Sequence, residues 1–150
     1  MKRFVLAFLA ALMLLALVSC ATGTDITQKN RDGSPIWTTE IPTSNRYLYG
    51  VGKAKLLGES SSQMAADANA RLDLARQIRV NLKENLSSYY SESGASTMEA
   101  MEQVMVQTVD LAMNKVVVEQ RWTAKDGTVW SLVSFKSKDL PALYKDAANK

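Results

Sequence analysis

Residues 46–56 read RYLYGVGKAKL, and this stretch decides the fold. Bulky and small residues alternate in it, and a period of two is typical of a β-strand. One side of the strand carries Tyr47, Tyr49 and Val51, whereas the other side carries two glycines and Ala54. A strip without side chains lets a helix backbone approach closely. We therefore expect a helix to pack against the glycine side.

The segment after this strand predicts that helix and then a second strand. Residues 60–79 are rich in Ala, Leu, Gln and Arg, which are good helix formers. Ile78, Val80 and Leu82 then alternate, which predicts a strand that continues weakly toward Tyr90. Apolar residues at helical spacing predict the buried face of the helix: Met64, Ala68, Leu72, Ala75 and Ile78.

The second half of the chain predicts a helix, a hairpin and a short closing helix. The first helix ends near Met113, residues 115–124 and 128–136 alternate as strands, and the last helix begins at Leu140 after Asp139. The predicted order is β-α-β-α-β-β-α. This order predicts a two-layer α+β domain, with helices packed on one face of a mainly antiparallel sheet.

The hairpin turn sets which residues face the helices. Asp126 and Gly127 form a dipeptide that favours a two-residue type I′ turn, because Gly tolerates a positive φ. In that register Trp122 lies opposite Ser131 and faces the helices, and Trp130 faces away from them.

The N-terminus predicts a signal peptide with a lipid attachment site. Residues 4–18 carry no charge and follow Lys2 and Arg3, but they are shorter than the roughly 20 residues that a membrane-spanning helix needs. Residues 17–20, LVSC, look like a bacterial lipobox. That resemblance implies cleavage between Ser19 and Cys20 and attachment of diacylglycerol to the cysteine thiol.

Other roles for Cys20 find little support in the composition. The chain holds one cysteine and no histidine, so it lacks an intramolecular disulfide partner and a histidine that could activate a thiolate or complete a zinc site. A plain signal peptide, or an uncleaved apolar anchor with an incidental cysteine, remains the alternative to lipidation.

Cleavage changes the charge of the chain and its division into segments. The net charge of +3 falls to +1 when Lys2 and Arg3 are lost, so we expect no nucleic-acid partner. The division is then residues 1–19 as signal peptide, residues 20–34 as lipidated cysteine and polar flexible tether, and residues 35–150 as a single α+β domain.

Three motifs in one order resemble a known family. They are the Pro-Ile-Trp of residues 35–37, the YGVGKA of residues 49–54 and the ARLDLARQI of residues 70–78. Together they resemble the LPP20-type family of small bacterial envelope lipoproteins, over about residues 35–135. The resemblance implies a membrane-anchored domain with a structural or assembly role. It implies no enzymatic activity and carries over no catalytic residue.

Motifs that resemble catalytic or ligand sites have simpler explanations. Residues 50–53, GVGK, lack the spacing of a phosphate-binding loop, and the serines of residues 60–62 are typical of a helix start. Met98, Met101 and Met105 favour a core stripe, although a methionine surface can also bind proteins or copper. We expect no catalytic residue, no metal and no cofactor.

The best candidate surface for a partner is a group of aromatic residues and an arginine: Tyr47, Tyr49, Arg121 and Trp130. Coverage by the stems of nearby Lys and Arg side chains is the alternative. The sequence thus favours a non-enzymatic outer-membrane lipoprotein. It would be held by lipid on Cys20 and would bind an envelope protein in an outer-membrane or flagellum-associated assembly. The alternative function is a small-ligand or peptidoglycan-binding module.

Overall fold

A computed structural model of the chain describes residues 23–93 and 98–149. Three strands form one antiparallel sheet in the order β1-β3-β2, and the helices pack on one of its faces. The α+β class is confirmed. The elements in chain order are β1 (Tyr47–Ala54), α1 (Glu59–Ser93), α2 (Met98–Met113), β2 (Val117–Thr123), β3 (Val129–Lys136) and α3 (Leu140–Ala148), with short 3-10 turns at Ile36–Thr38 and Ser137–Asp139.

The close contact between β1 and α1 is the one that the glycines predicted. A Cβ placed on Gly52 would lie 2.1 Å from the backbone nitrogen of Ala70, and one on Gly50 would lie 2.4 Å from the carbonyl oxygen of the same residue. Both distances are far shorter than a carbon atom allows. The helix backbone therefore lies directly on the strand, and only glycine fits at these two positions.

The buried face of α1 differs from the predicted one. Met64 and Leu72 are 68% and 51% exposed, so the predicted stripe is wrong at these positions, whereas its last member, Ile78, is fully buried. The reason is that the glycines of β1 demand small residues opposite them, and Ala66 and Ala70 supply these where the larger side chains could not fit. The buried stripe repeats every four residues: Ser62, Ala66, Ala70, Leu74, Ile78 and Leu82.

The strand predicted from Ile78 toward Tyr90 is also wrong, because α1 continues through this segment to Ser93. Ile78 and Leu82 are fully buried and lie four residues apart, which is a helical spacing, whereas Val80 between them is 60% exposed. A short run of alternating apolar residues fits either period. Packing of this segment against the sheet stabilises the helical conformation.

Side chains of α1 also cover the free edge of β1. An edge strand presents unpaired backbone groups that invite a foreign strand. Three helix residues at a spacing of four hydrogen-bond these groups, so α1 takes the place of a fourth strand. The bonds are Asn69 Nδ2 to the Lys53 carbonyl at 3.0 Å, the Val51 amide to Asp73 Oδ2 at 3.1 Å, and Gln77 Nε2 to the Tyr49 carbonyl at 2.8 Å.

The hairpin has a three-residue loop, so the predicted register is wrong by one residue. The Gly127 amide donates to the Ala124 carbonyl at 2.9 Å, the Ala124 amide donates to the Thr128 carbonyl at 2.8 Å, and Gly127 has a φ of 84°. A type I turn followed by a left-handed glycine produces this loop. Trp122 consequently lies opposite Trp130 and faces away from the helices, not toward them.

Residues 23–34, which the composition predicted as a flexible tether, are hydrogen-bonded to the domain. The Thr24 amide donates to the Thr43 carbonyl at 3.0 Å, and Gln120 Nε2 donates to the Ile26 carbonyl at 3.4 Å. Trp37, which is 1% exposed, donates from Nε1 to Gln120 Oε1 at 2.8 Å. Residues 23–39, which we call the N-terminal segment, therefore cover part of the sheet face opposite the helices.

Candidate functional site

The sheet register separates Arg121 from the other residues of the predicted surface. Directly opposite residues of antiparallel strands share a face. Gly52 contacts α1 and lies opposite Ser131, and Ser131 lies opposite Arg121, so Arg121 faces the helices. Tyr47, Tyr49 and Trp130 are on the other face, which we call the outer face.

The longer hairpin loop explains why the prediction failed for Arg121, because the one-residue shift that turns Trp122 to the outer face turns its neighbour Arg121 toward the helices. The register also shifts at a bulge between Val118 and Gln120, so Glu119 is an extra residue in the strand. The extra residue puts Val118 and Arg121 on the same face, although they are three apart. The bulge therefore changes the face of the residues that precede Glu119 and not that of Arg121, whose register is set by the hairpin loop.

Arg121 instead holds the two layers together. Its guanidinium donates two hydrogen bonds to the Asp67 carboxylate of α1, at 2.9 and 2.6 Å, and the Ser131 hydroxyl donates a third at 2.7 Å. These bonds lower the pKa of Asp67, with Arg121 as the largest cause, and the carboxylate raises the pKa of Arg121. Arg121 thus links α1 to the sheet through the Asp67 carboxylate.

The two tyrosines of the predicted surface form a pair on the outer face. The ring centroids of Tyr47 and Tyr49 are 6.1 Å apart with an interplanar angle of 34°, within the range of favourable aromatic contacts. Both residues are partly buried. Burial raises the pKa of Tyr49, so its hydroxyl is a neutral donor at physiological pH.

The outer face carries a cleft built around two tryptophans, which we call the indole cleft. Trp122 and Trp130 are directly opposite each other on β2 and β3, and both are half-buried. Lys53 Nζ lies 4.8 Å from the ring centroid of Trp130, a cation–π contact. The cleft has a volume of about 720 Å³, and its far wall is the N-terminal segment, which contributes Asp32, Ser34, Thr38 and Thr39.

The indole cleft holds charges of both signs. Asp126 forms an ion pair with Lys55 at 3.7 Å, and its bond from the Thr128 amide lowers its pKa. A hydrogen bond from the Ser34 hydroxyl lowers the pKa of Asp32. Two aspartates and two lysines, Lys53 and Lys55, therefore line the cleft around the indoles. Such a cleft offers apolar ring faces together with donors and acceptors.

A family model described as LPP20 lipoprotein matches residues 35–136, which is more than half of the chain. The chain belongs to the LPP20 lipoprotein family. The resemblance seen in the sequence is thereby confirmed, and membership of a lipoprotein family places the chain in the cell envelope. No curated protein matches the chain.

The region shared with the LPP20 family runs from the residue before the Trp37 turn to the end of β3. It therefore contains the glycine contact, the Asp67 cluster and both tryptophans of the indole cleft. Ser19 and Cys20, the predicted cleavage and lipidation sites, lie outside the residues that the structure describes.

Of the residues that line the cleft in this LPP20 chain, the predicted surface contained only Trp130, and the members that it missed include Trp122, Lys53 and Asp32. The predicted two-residue turn placed Trp122 on the side of the helices, which is the wrong face. The alternation of β1 held a signal for Lys53, since this residue lies on the same side of the strand as Tyr49. Asp32 gave no signal, because it sits in a segment whose composition is typical of a linker.

The described residues show neither a metal site nor a membrane-spanning helix. Residues 23–93 and 98–149 contain no group of three or more potential metal ligands among His, Cys, Asp and Glu. Within the same ranges, every helix is too short or too polar to cross a membrane.

Proposed function

We propose that this chain is a non-enzymatic outer-membrane lipoprotein, anchored by lipid on Cys20, whose indole cleft binds another envelope protein. The binding would serve an outer-membrane or flagellum-associated assembly. The observation that carries the proposal is the pair of partly exposed indoles of Trp122 and Trp130, which lie directly opposite each other on neighbouring strands.

The chemistry of the cleft suits a protein partner. Tryptophan is among the residues that dominate the binding energy of protein interfaces, especially where rings are held at the centre of a contact. Here the sheet fixes both rings before binding, which reduces the entropy lost on association. The charged groups of Asp32, Lys53, Lys55 and Asp126 surround them as a polar rim does.

The non-enzymatic part of the proposal rests on the side chains available. The chain has no histidine, and the polar groups that line the cleft are lysines, aspartates, serine and threonines. Lys55 and Asp126 pair with each other, and Lys53 lies against a ring. The cleft hydroxyls of Ser34 and Thr128 donate to the carboxylates of Asp32 and Asp126, each two residues away. These bonds lower the pKa of both carboxylates, which makes them weak bases for activating a nucleophile.

A peptidoglycan strand is the second candidate for the cleft. Indole faces stack on sugar rings, and the ionised carboxylates of Asp32 and Asp126 accept hydrogen bonds from hydroxyl groups. The two aspartates are the specific observation that favours this candidate.

A photo-crosslinking experiment in intact cells tests the proposal. A photoreactive amino acid replaces Thr39 at the wall of the cleft, and a control replaces the exposed Lys145 on α3. We expect a discrete crosslinked protein from position 39 that is absent from position 145. Trp130→Ala should abolish it while the domain keeps its cooperative thermal unfolding, because the ring is only half-buried.

Three results would contradict protein binding at the cleft. They are equal crosslinking from both positions, crosslinking that survives Trp130→Ala, and the absence of any protein crosslink in cells where the chain is folded and anchored. Sedimentation of the chain with purified peptidoglycan, lost in Trp130→Ala, would favour the second candidate.

A further inference from the structure

The structure fixes the chain close to its predicted point of lipid attachment. Gly23 forms a β-bridge with Ser44, and the Thr24 amide donates to the Thr43 carbonyl at 3.0 Å. Only Ala21 and Thr22 separate Gly23 from Cys20. Even a fully extended chain spans at most about 11 Å over three residues. The end of the domain around Ser44 is therefore the end nearest to the anchor.

This end of the domain carries a cluster of cations. A cleft of about 260 Å³, which begins one residue after Ser44, is lined by Asn45, Arg46, Tyr47, Lys136 and Lys138; we call it the basic cleft. The Ser137 amide donates to the Arg46 carbonyl at 2.9 Å, which holds its two walls together.

The three cations of the basic cleft have no acidic partner in the part of the chain that the structure describes. The ion pairs found there involve Lys55, Arg79, Lys115 and Arg121, and not these residues. Asp139, the nearby acid in sequence, pairs with Lys115 at 3.8 Å. Arg46, Lys136 and Lys138 are also exposed, so their charge is free to attract an anion.

We propose that the basic cleft binds the phosphate groups of anionic lipids in the membrane that holds the anchor. This inference rests on the lipidation of Cys20 in the proposed function. Cations within a few ångströms of an anionic membrane are attracted to it, and a tyrosine between them suits the boundary of headgroups and water. A lipid surface is the favoured occupant because the attachment point lies beside the cleft.

Binding at the basic cleft would orient the whole domain. Tyr47 pairs with Lys136 at the start of β1, and Lys53 pairs with Trp130 six residues later. Six residues of a strand span about 20 Å. The indole cleft would then point away from the membrane, where a partner protein can reach it.

Fluorescence quenching on vesicles tests the orientation with the intact, lipidated chain. Asn45→Cys or Gly58→Cys introduces one free thiol for a dye, since lipid blocks Cys20. Position 45 lines the basic cleft, and position 58 follows the far end of β1. The vesicles contain phosphatidylcholine with or without phosphatidylglycerol and a headgroup-linked quencher. We expect about twofold stronger quenching at position 45 than at position 58 on the anionic vesicles.

Charge removal supplies the second arm of the test. The triple variant Arg46→Gln, Lys136→Gln, Lys138→Gln should lose the difference between the two positions, and high salt should remove it from the unsubstituted chain. A control variant with the same loss of charge should keep it. The control is Arg76→Gln, Lys83→Gln, Lys145→Gln, at three exposed positions elsewhere.

Two kinds of failure are distinguishable. If the chain floats with the vesicles but both dyes are quenched alike, or if the triple variant and its control behave alike, the basic cleft does not bind the membrane and the anchor still stands. If the chain does not float with the vesicles, the lipid anchor fails and this inference fails with it.

Discussion

The Asp67 carboxylate joins α1 to both β2 and β3. It accepts two hydrogen bonds from Arg121 and one from Ser131, and the side chain is 22% exposed. Hydrogen bonds to an ionised group stabilise more than neutral ones do. The lowered pKa of Asp67 is the sign that the folded state favours the charged carboxylate.

Asp67→Asn should therefore lower the free energy of unfolding by about 1–2 kcal/mol at neutral pH. Because the folded-state pKa is below the ordinary value of 3.8, the advantage of the wild type is complete well above that pH. It is lost as the pH falls through the folded-state pKa. Urea unfolding of both proteins across this range measures the difference, and a constant difference down to the lowest pH would contradict the assignment.

The second prediction for a single residue concerns Gly52. A Cβ added at this position would lie 2.1 Å from the Ala70 nitrogen, a backbone atom that cannot move alone. Gly52→Ala should destabilise the domain by about 3 kcal/mol, the upper part of the range for overpacking. Gly58→Ala is the matched control, since its Cβ would lie 3.6 Å from the nearest atom, an ordinary contact. Similar thermal unfolding of the two variants would show that α1 does not lie on β1.

At the scale of elements, β1 could be predicted because its signal is local. The alternation of residues 46–56 gave the strand, and its bare side gave the helix contact. The face of α1 could not be predicted from apolar spacing. The helix buries Ala66 and Ala70 and exposes Met64 and Leu72, because the distance to the sheet, and not hydrophobicity, selects the face.

The hairpin shows how one residue of loop length changes a predicted site. An Asp-Gly dipeptide serves both a two-residue turn and a three-residue loop with glycine last, so the sequence did not decide between them. The three-residue loop brought Trp122 to the outer face beside Trp130 and, by the same shift, turned Arg121 toward the helices. Tyr47, Tyr49 and Trp130 share the outer face, which depends on β1 and β3 alone, but Tyr47 lies six residues along β1 from Lys53, the residue opposite Trp130.

The polar composition of the N-terminal segment did not predict that it packs on the sheet. Its polar residues are used in local turns, as when the Asp32 carboxylate accepts from both the amide and the hydroxyl of Ser34. Its one large anchor is Trp37, which is 1% exposed and donates to Gln120.

Trp37→Ala should lower the free energy of unfolding by about 3–5 kcal/mol, because it removes a fully buried ring and leaves a cavity. Ile41→Ala, at a position that is 52% exposed, is the control and should change stability by no more than about 0.5 kcal/mol. Chemical denaturation measures both. A mild effect of Trp37→Ala would mean that this side chain does not hold the N-terminal segment against the sheet.

At the scale of the whole molecule, the two clefts lie at opposite ends of β1. The basic cleft is beside the segment that leads to Cys20, and the indole cleft is at the far end. The N-terminal segment runs from one cleft to the other. Its Gly23 forms a β-bridge with Ser44 beside the basic cleft, and its Asp32 lines the indole cleft. A lipid on Cys20 would thus hold the end with the basic cleft near the membrane, and the indole cleft, which would meet a partner, would face away from it.

The anchor itself is tested by metabolic labelling with an alkyne fatty acid in a bacterium that processes lipoproteins. The full chain is compared with Cys20→Ala, which removes the only thiol of the sequence. We expect label on the wild-type chain in the membrane fraction and none on the variant, which should remain an unprocessed precursor. Equal labelling of the two proteins, or an unlabelled wild-type chain that is cleaved and released from the membrane, would contradict the account.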